Sequence, residues 1–216
     1  MLRQKAKGLF VLLLGAWLLA ACATGAPSTA VDNTAPPPAA QAEAPPTTGE
    51  RDGNGPVALA YQPADGSLLR ADSYGLARWR GGQWESVALP ETAPVSGVVV
   101  NPEQPETIYV SGLGVGVLRS NDEGATWQAV NTGLPSLKVT ALALHSFKRE
   151  ILYAWLKEDG VYRTEDGGAT WVQLPDQGPQ DKDVRGLVHS TLPGSMNTGW
   201  LYASTPSGAY LSMDCF

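Results

Sequence analysis

Two acidic segments repeat one order of hydroxyl, carboxylate, glycine and tryptophan: Ser120-Asn121-Asp122-Glu123-Gly124-Ala125-Thr126-Trp127 and, 44 residues on, Thr164-Glu165-Asp166-Gly167-Gly168-Ala169-Thr170-Trp171. Paired carboxyl groups are what glycoside hydrolysis requires, one keeping its proton as the acid and one ionised as nucleophile or base. His145 and His189 stand at the same offset, each followed by a serine, and two imidazoles could ligate a metal. Arg78, Arg119 and Arg163 each come just before an acidic segment or its remnant, where guanidinium groups could grip an anion.

Their recurrence points to architecture instead. The three arginines occupy equivalent positions in successive units, as structural or surface residues would. The histidines fall where other units carry Gln62-Pro63 and Asn101-Pro102, which reads as a repeated polar turn residue in preference to a metal pair. Gly112-Leu113-Gly114-Val115-Gly116 is glycine-rich but opens no helix, so it is a hairpin rather than a phosphate loop. The expectation is therefore no catalytic residue, no metal and no cofactor.

The elements that position these residues are themselves repeated. Gly116-Val117-Leu118-Arg119 precedes the first segment and Gly160-Val161-Tyr162-Arg163 the second, with Ile108-Tyr109-Val110 and Leu152-Tyr153-Ala154 further upstream. A degenerate earlier unit runs through Gly75-Leu76-Ala77-Arg78-Trp79, a turn at Arg80-Gly81-Gly82 and Gln83-Trp84-Glu85-Ser86-Val87. A fourth begins at Val184, passes Trp200-Leu201-Tyr202-Ala203 and Gly208-Ala209-Tyr210-Leu211-Ser212, and stops at Met213-Asp214-Cys215-Phe216, so Trp84, Ser212 and Asp214 are read as degenerate motif positions. Aligned, the second unit predicts four strands, Gly97 to Val100, Thr107 to Ser111, Val115 to Ser120 and Thr126 to Val130. A period of 40 to 50 residues with four short strands is a β-propeller blade. The predicted fold is all-β, about four blades with the last incomplete.

Within each motif, Asp122 or Asp166 is expected to accept hydrogen bonds from turn amides that lack ladder partners. Gly124 and Gly168 supply positive φ, Thr126 and Thr170 start the outer strand, and Trp127 and Trp171 fold inward to plug the blade. The pattern S/T-x-D-x-G-x-T-W, carried by Ser120, Asp122, Gly124, Thr126 and Trp127 and by Thr164, Asp166, Gly168, Thr170 and Trp171, resembles the Asp box, or BNR repeat, of sialidases, xyloglucanases, sortilin-like receptors and photosystem II assembly-factor propellers. The resemblance covers residues 57 to 216 and implies that the boxes are peripheral turns, away from any sugar. The aromatic-Arg-Ile-Pro motif of sialidases is absent.

The start of the chain is an address. Met1 to Ala21 carries Arg3, Lys5 and Lys7, then an apolar run from Leu9 to Leu19, and Leu19-Ala20-Ala21-Cys22 resembles the bacterial lipobox. That resemblance implies cleavage before Cys22, lipidation of its sulfur and an extracytoplasmic, membrane-anchored product. Residues 22–56, rich in alanine, proline and threonine, read as a disordered tether leading to blades over residues 57–216. Without the three leader cations the formal charge moves from −6 to −9, which disfavours nucleic acid as a partner.

The unfinished last unit is expected to leave open blade edges that invite self-association. The chain reads as a fragment of a longer propeller, with completion by a dimer as the second reading. The function expected is a non-catalytic binding or assembly scaffold for a protein or glycan. A sialidase-like or xyloglucanase-like glycoside hydrolase, intact or as a truncated remnant, is the alternative.

Overall fold

A computed structural model describes residues 57–175, 178–192 and 199–212, and the described chain is all-β. Blade 1 holds β1 (Ala58–Gln62), β2 (Ser67–Asp72), β3 (Gly75–Arg80) and β4 (Gln83–Val87). Blade 2 holds β5 (Val95–Val100), β6 (Ile108–Gly112), β7 (Gly116–Ser120) and β8 (Gln128–Ala129). Blade 3 holds β9 (Val139–Leu144), β10 (Leu152–Leu156), β11 (Gly160–Thr164) and β12 (Val172–Gln173), and blade 4 holds β13 (Gly186–His189), β14 (Leu201–Thr205) and β15 (Gly208–Ser212). Each sheet is an antiparallel meander in chain order. Blade 4 has three strands among the described residues.

The fourth strands of blades 2 and 3 are shorter than their sequence suggests, two residues each, and begin at Gln128 and Val172 rather than at the motif threonines. The reason is local. Thr126 and Thr170 turn both amide and hydroxyl back to the motif aspartate, which takes them out of the strand ladder.

Alternation of side chains along each strand gives every blade two apolar faces, and consecutive blades pack face on face. Three clusters fill the gaps. Leu69, Ala71 and Leu76 of blade 1 meet Val98, Ile108 and Val110 of blade 2. Tyr109 and Val117 of blade 2 meet Leu142, Leu152 and Ala154 of blade 3, and Tyr153, Trp155 and Val161 of blade 3 meet Leu187, Leu201 and Ala203 of blade 4. The first strands lie innermost: β1, β5, β9 and β13 all border one axial space, through Leu59, Val98, Leu142 and Leu187 among others.

Polar ties follow the same order. Gln62 donates to the Pro105 carbonyl at 2.8 Å, the Ser96 hydroxyl to that of Val139 at 2.8 Å and the Thr140 hydroxyl to that of Val184 at 2.8 Å, each bridging one blade to the next. Radial sheets, three of them four-stranded and one three-stranded among the described residues, stack about an axis and make this part of the chain a β-propeller.

Candidate functional site

The recurrent turn is built twice with the same bonds. In blade 2 the Ser120 hydroxyl donates to Asp122 at 2.7 Å and accepts from the Gly124 amide at 2.8 Å, while Asp122 also accepts the Thr126 amide at 2.8 Å. In blade 3 the Thr164 hydroxyl donates to Asp166 at 2.6 Å and accepts from the Gly168 amide at 3.0 Å, with the Thr170 amide on Asp166 at 2.9 Å. The buried hydroxyl thus does as much of the turn capping as the carboxylate. The Thr126 hydroxyl, with the Thr126 amide and the Ser120 hydroxyl, holds Asp122 down to about 2; the Thr164 hydroxyl, with the Thr170 hydroxyl and amide, does the same for Asp166.

Gly124 and Gly168 lie at φ 91 and 94, as the turn demands. The residue before each also has positive φ, 69 for Gly167 but 59 for Glu123, a side chain in a left-handed conformation. At Gly167 a Cβ would be tight, meeting Arg119 and the Tyr109 hydroxyl at 3.2 Å. The residue paired with β3 at that point in blade 1 is Leu69, without the phenol, so Glu123 is accommodated at the cost of backbone strain. Glu123→Gly should raise stability by about 0.5–1 kcal/mol in urea unfolding. No gain would show that the left-handed turn carries no strain.

The degenerate units solve the turn differently. Blade 1 joins Arg80 to Gln83 through Gly81 and Gly82, at φ 60 and 86, a two-residue hairpin that needs no carboxylate. Ser212 of blade 4 is buried at the Ser120 position, and Asp214 lies outside the described residues, as does Cys22.

The motif tryptophans wedge between blades instead of plugging their own. Trp171 is buried in the cluster shared by blades 2 and 3, and its indole nitrogen donates to the Val130 carbonyl of blade 2 at 2.7 Å. Trp127 packs on the cluster shared by blades 1 and 2, half-buried, and its indole nitrogen has no partner. Their side chains leave the outer strand on the face turned to the preceding blade, which the sequence pattern alone does not orient.

Two of the recurrent arginines reach the other way. Arg78 donates to the Glu123 carbonyl in the turn of blade 2 at 2.5 Å. Arg119 lies over the Tyr109 ring at 5.7 Å and bonds Asn121 at 2.8 Å, beside Gly167 of blade 3, while Arg163 pairs with Glu165. They are spread over three blades and do not converge on one anion site.

Where blades 2 and 3 meet, the turns at one end of the sheets enclose an open polar groove. It is lined by Glu103, Tyr109, Arg119, Arg149, Glu150 and Asp166 among others. Arg149 pairs with Glu103 at 3.2 Å and donates to the His145 carbonyl at 2.9 Å; Tyr109 donates to the Gly167 carbonyl at 3.2 Å. Burial raises the Tyr109 phenol, which stays protonated, and the turn keeps Asp166 ionised. The groove therefore offers fixed donors and acceptors of both signs. No sequence motif marks it, because its residues come from three separate turns and from β6 and β7.

His145 and His189 differ by one position in their strands: His145 follows β9 and His189 ends β13. Their rings nevertheless stack, 4.0 Å between centroids, with Tyr153 parallel to His189 at 5.8 Å. Nδ1 of His145 accepts the Phe147 and Lys148 amides at 3.0 and 3.1 Å, as Asn101 accepts those of Glu103 and Gln104, and Nδ1 of His189 accepts the Ser146 amide at 3.1 Å. Burial, then the neighbouring His189 and the cations Lys148 and Arg149, push His145 down to about 4, and burial lowers His189 as well. Among the described residues no group of three or more His, Cys, Asp or Glu side chains could hold a metal ion.

The fold thus defines the class, a β-propeller, and comparison with known proteins goes no finer. No family model matches the chain, and no curated protein matches it. Among solved structures it is similar to the GH74 enzyme of Niastella koreensis, with TM-score 0.57 and 17% identity over 74% of this chain and 28% of that one. It is similar also to the extracellular domain of a hybrid two-component system from B. thetaiotaomicron, with TM-score 0.54 and 13% identity over 74% of this chain and 21% of that one. A chain of the outer coat vertex of COPII on membranes gives TM-score 0.52 and 11% identity over 69% of this chain and 43% of that one. The chain spans less than half of each, and at these identities the likeness is one of fold.

Proposed function

We propose that this chain is a membrane-tethered, extracytoplasmic Asp-box propeller that binds a protein or glycan without turning it over. The observation that carries the reading is the state of the motif carboxylates. Asp122 and Asp166 are consumed by their own turns, each accepting the hydroxyl two residues before it and the amide and hydroxyl of the threonine four residues after it. Glycoside hydrolysis needs an acid that keeps its proton near neutral pH, which calls for a shift upward.

The groove between blades 2 and 3 is the favoured binding surface. Its Arg119, Arg149 and Glu103 side chains suit hydroxyl-rich or mixed-charge ligands, and loops at blade ends carry recognition on rigid scaffolds. The lipobox-like Leu19-Ala20-Ala21-Cys22 and the tether before residue 57 support placement at a bacterial membrane facing outward.

The test is a glycan array and a pull-down with the full chain, run beside fluorogenic sialoside and xyloglucan-oligosaccharide turnover. Binding that is lost in Arg119→Ala, with no turnover above buffer, is the expected result. Turnover abolished by a groove carboxylate variant such as Glu103→Gln or Glu150→Gln would overturn the reading in favour of a glycoside hydrolase.

A further inference from the structure

Inter-blade packing uses the same pair of positions three times. Ala60 shares a cluster with Val98, Val99 with Leu142, and Ala143 with Leu187. In each case the first residue belongs to the inner strand of one blade and the second to that of the next. Strand register extends the series at both ends of the arc. Val188, paired with Tyr202 as Val99 is with Tyr109 and Ala143 with Tyr153, is the fourth donor of this contact, and Leu59, paired with Arg70 as Val98 is with Val110, is the acceptor that blade 1 holds ready. Val188 is 63% exposed and Leu59 is 60% exposed.

Both faces continue apolar across their sheets. Beside Val188 in register stand Tyr202 and the exposed Leu211. On the face of blade 1 that carries Leu59 stand Tyr61, Leu68, Trp79 and Trp84, one cross-strand row and all exposed. Trp84 precedes the residue paired with Arg78, as Trp127 precedes the partner of Arg119 and Trp171 that of Arg163. It is the same wedge. Trp171 is driven into blade 2, whereas Trp84 projects from blade 1 beside Trp79, centroids 5.4 Å apart, with the Arg70 guanidinium 4.5 Å over its ring. Exposed apolar rows of this kind on a soluble domain mark a docking surface.

We propose that these two faces are mates and that a second copy of this chain supplies the partner, blade 4 of one copy seating against blade 1 of the other. The complementarity needs no foreign molecule, because the repeat that makes the three internal contacts also shaped both open faces, and each copy carries one of each. A head-to-tail contact that closes after two copies is a ring. Eight blades about one axis fall within the range propellers adopt.

Cross-linking of the full chain, in a Cys22→Ser, Cys215→Ser background, tests this. Leu59→Cys and Val188→Cys change exposed side chains and leave the clusters between blades intact. Under mild oxidation a mixture of the two single variants should give a disulfide-linked dimer, neither variant alone should give one, and sedimentation of the unmodified chain should return a dimer mass. Val188→Asp should abolish both signals. A monomer mass with no cross-link, a ladder of larger species, or a disulfide formed within one chain of the Leu59→Cys, Val188→Cys double variant would each overturn the proposal; the last would mean that the four blades close on themselves.

Discussion

Trp171→Ala will cost about 3–5 kcal/mol of unfolding free energy, as truncation of a buried indole does. The indole is 3% exposed, lies across the seam between blades 2 and 3, and satisfies the Val130 carbonyl, so truncation opens a cavity and orphans an acceptor together. Its repeat counterpart supplies the control. Trp127 is half-buried and its indole nitrogen bonds nothing, so Trp127→Ala should cost roughly half as much. Urea unfolding of the two variants against the parent reads the difference. Equal losses would mean that the deeper burial of Trp171 and its bond to the Val130 carbonyl add nothing to what the half-buried Trp127 contributes at its own seam.

Acid should weaken the domain in two separate pH windows. The imidazole of His145 is held near 4 in the folded state against about 6.5 unfolded, so the unfolded chain takes up the proton first. Stability is full above pH 6.5 and falls as pH drops toward 4, by on the order of 2 kcal/mol after allowance for partial solvent screening. His189, lowered in the same direction, deepens the same window. Below pH 4 the motif aspartates take over, since Asp122 and Asp166 bind protons near 2 when folded and near 3.9 when unfolded, so their contribution is lost between those values. His145→Asn separates the two. Asn101 caps the equivalent turn of blade 2 with its side-chain oxygen, so asparagine at 145 should keep the turn and flatten the upper window while leaving the lower one unchanged. Thermal melts from pH 7.5 to 2.5 measure both; an upper window unaffected by the substitution would remove His145 as its cause.

Much of the architecture was legible because the repeat is long and in phase. Ile108-Tyr109-Val110 and Leu152-Tyr153-Ala154 are apolar runs centred on a tyrosine at one offset, and each became a fully buried second strand. The degenerate blade 1 could be placed from Gly75-Leu76-Ala77-Arg78 even without its aspartate, since Gly81 and Gly82 make a hairpin of another type. The outer strands were overdrawn because β-propensity favours Thr126 and Thr170 in a ladder, while an aspartate four residues back competes for the same amides and wins.

What escaped the sequence lies between blades. The direction of the tryptophan wedge, the reach of Arg78 to the Glu123 carbonyl and the groove formed by Glu103, Arg119 and Arg149 depend on which face each strand turns to its neighbour. The histidine stack is the sharpest case. A 44-residue offset predicted equivalent turn positions, yet a one-residue difference in strand phase puts His145 beyond β9 and His189 at the end of β13, and that mismatch is what brings the rings together.

The claim on which both fold and function rest is that the motif carboxylates are spent on their turns. Carboxyl carbon chemical shifts of Asp122 and Asp166, followed by NMR from pH 7 to 1.5, measure it. Both should titrate near 2, with Ser120→Ala and Thr164→Val moving them up toward the ordinary carboxylate range. A midpoint for either residue above that range would mean a carboxyl group that holds its proton, free of its turn and available as an acid, and would contradict the account.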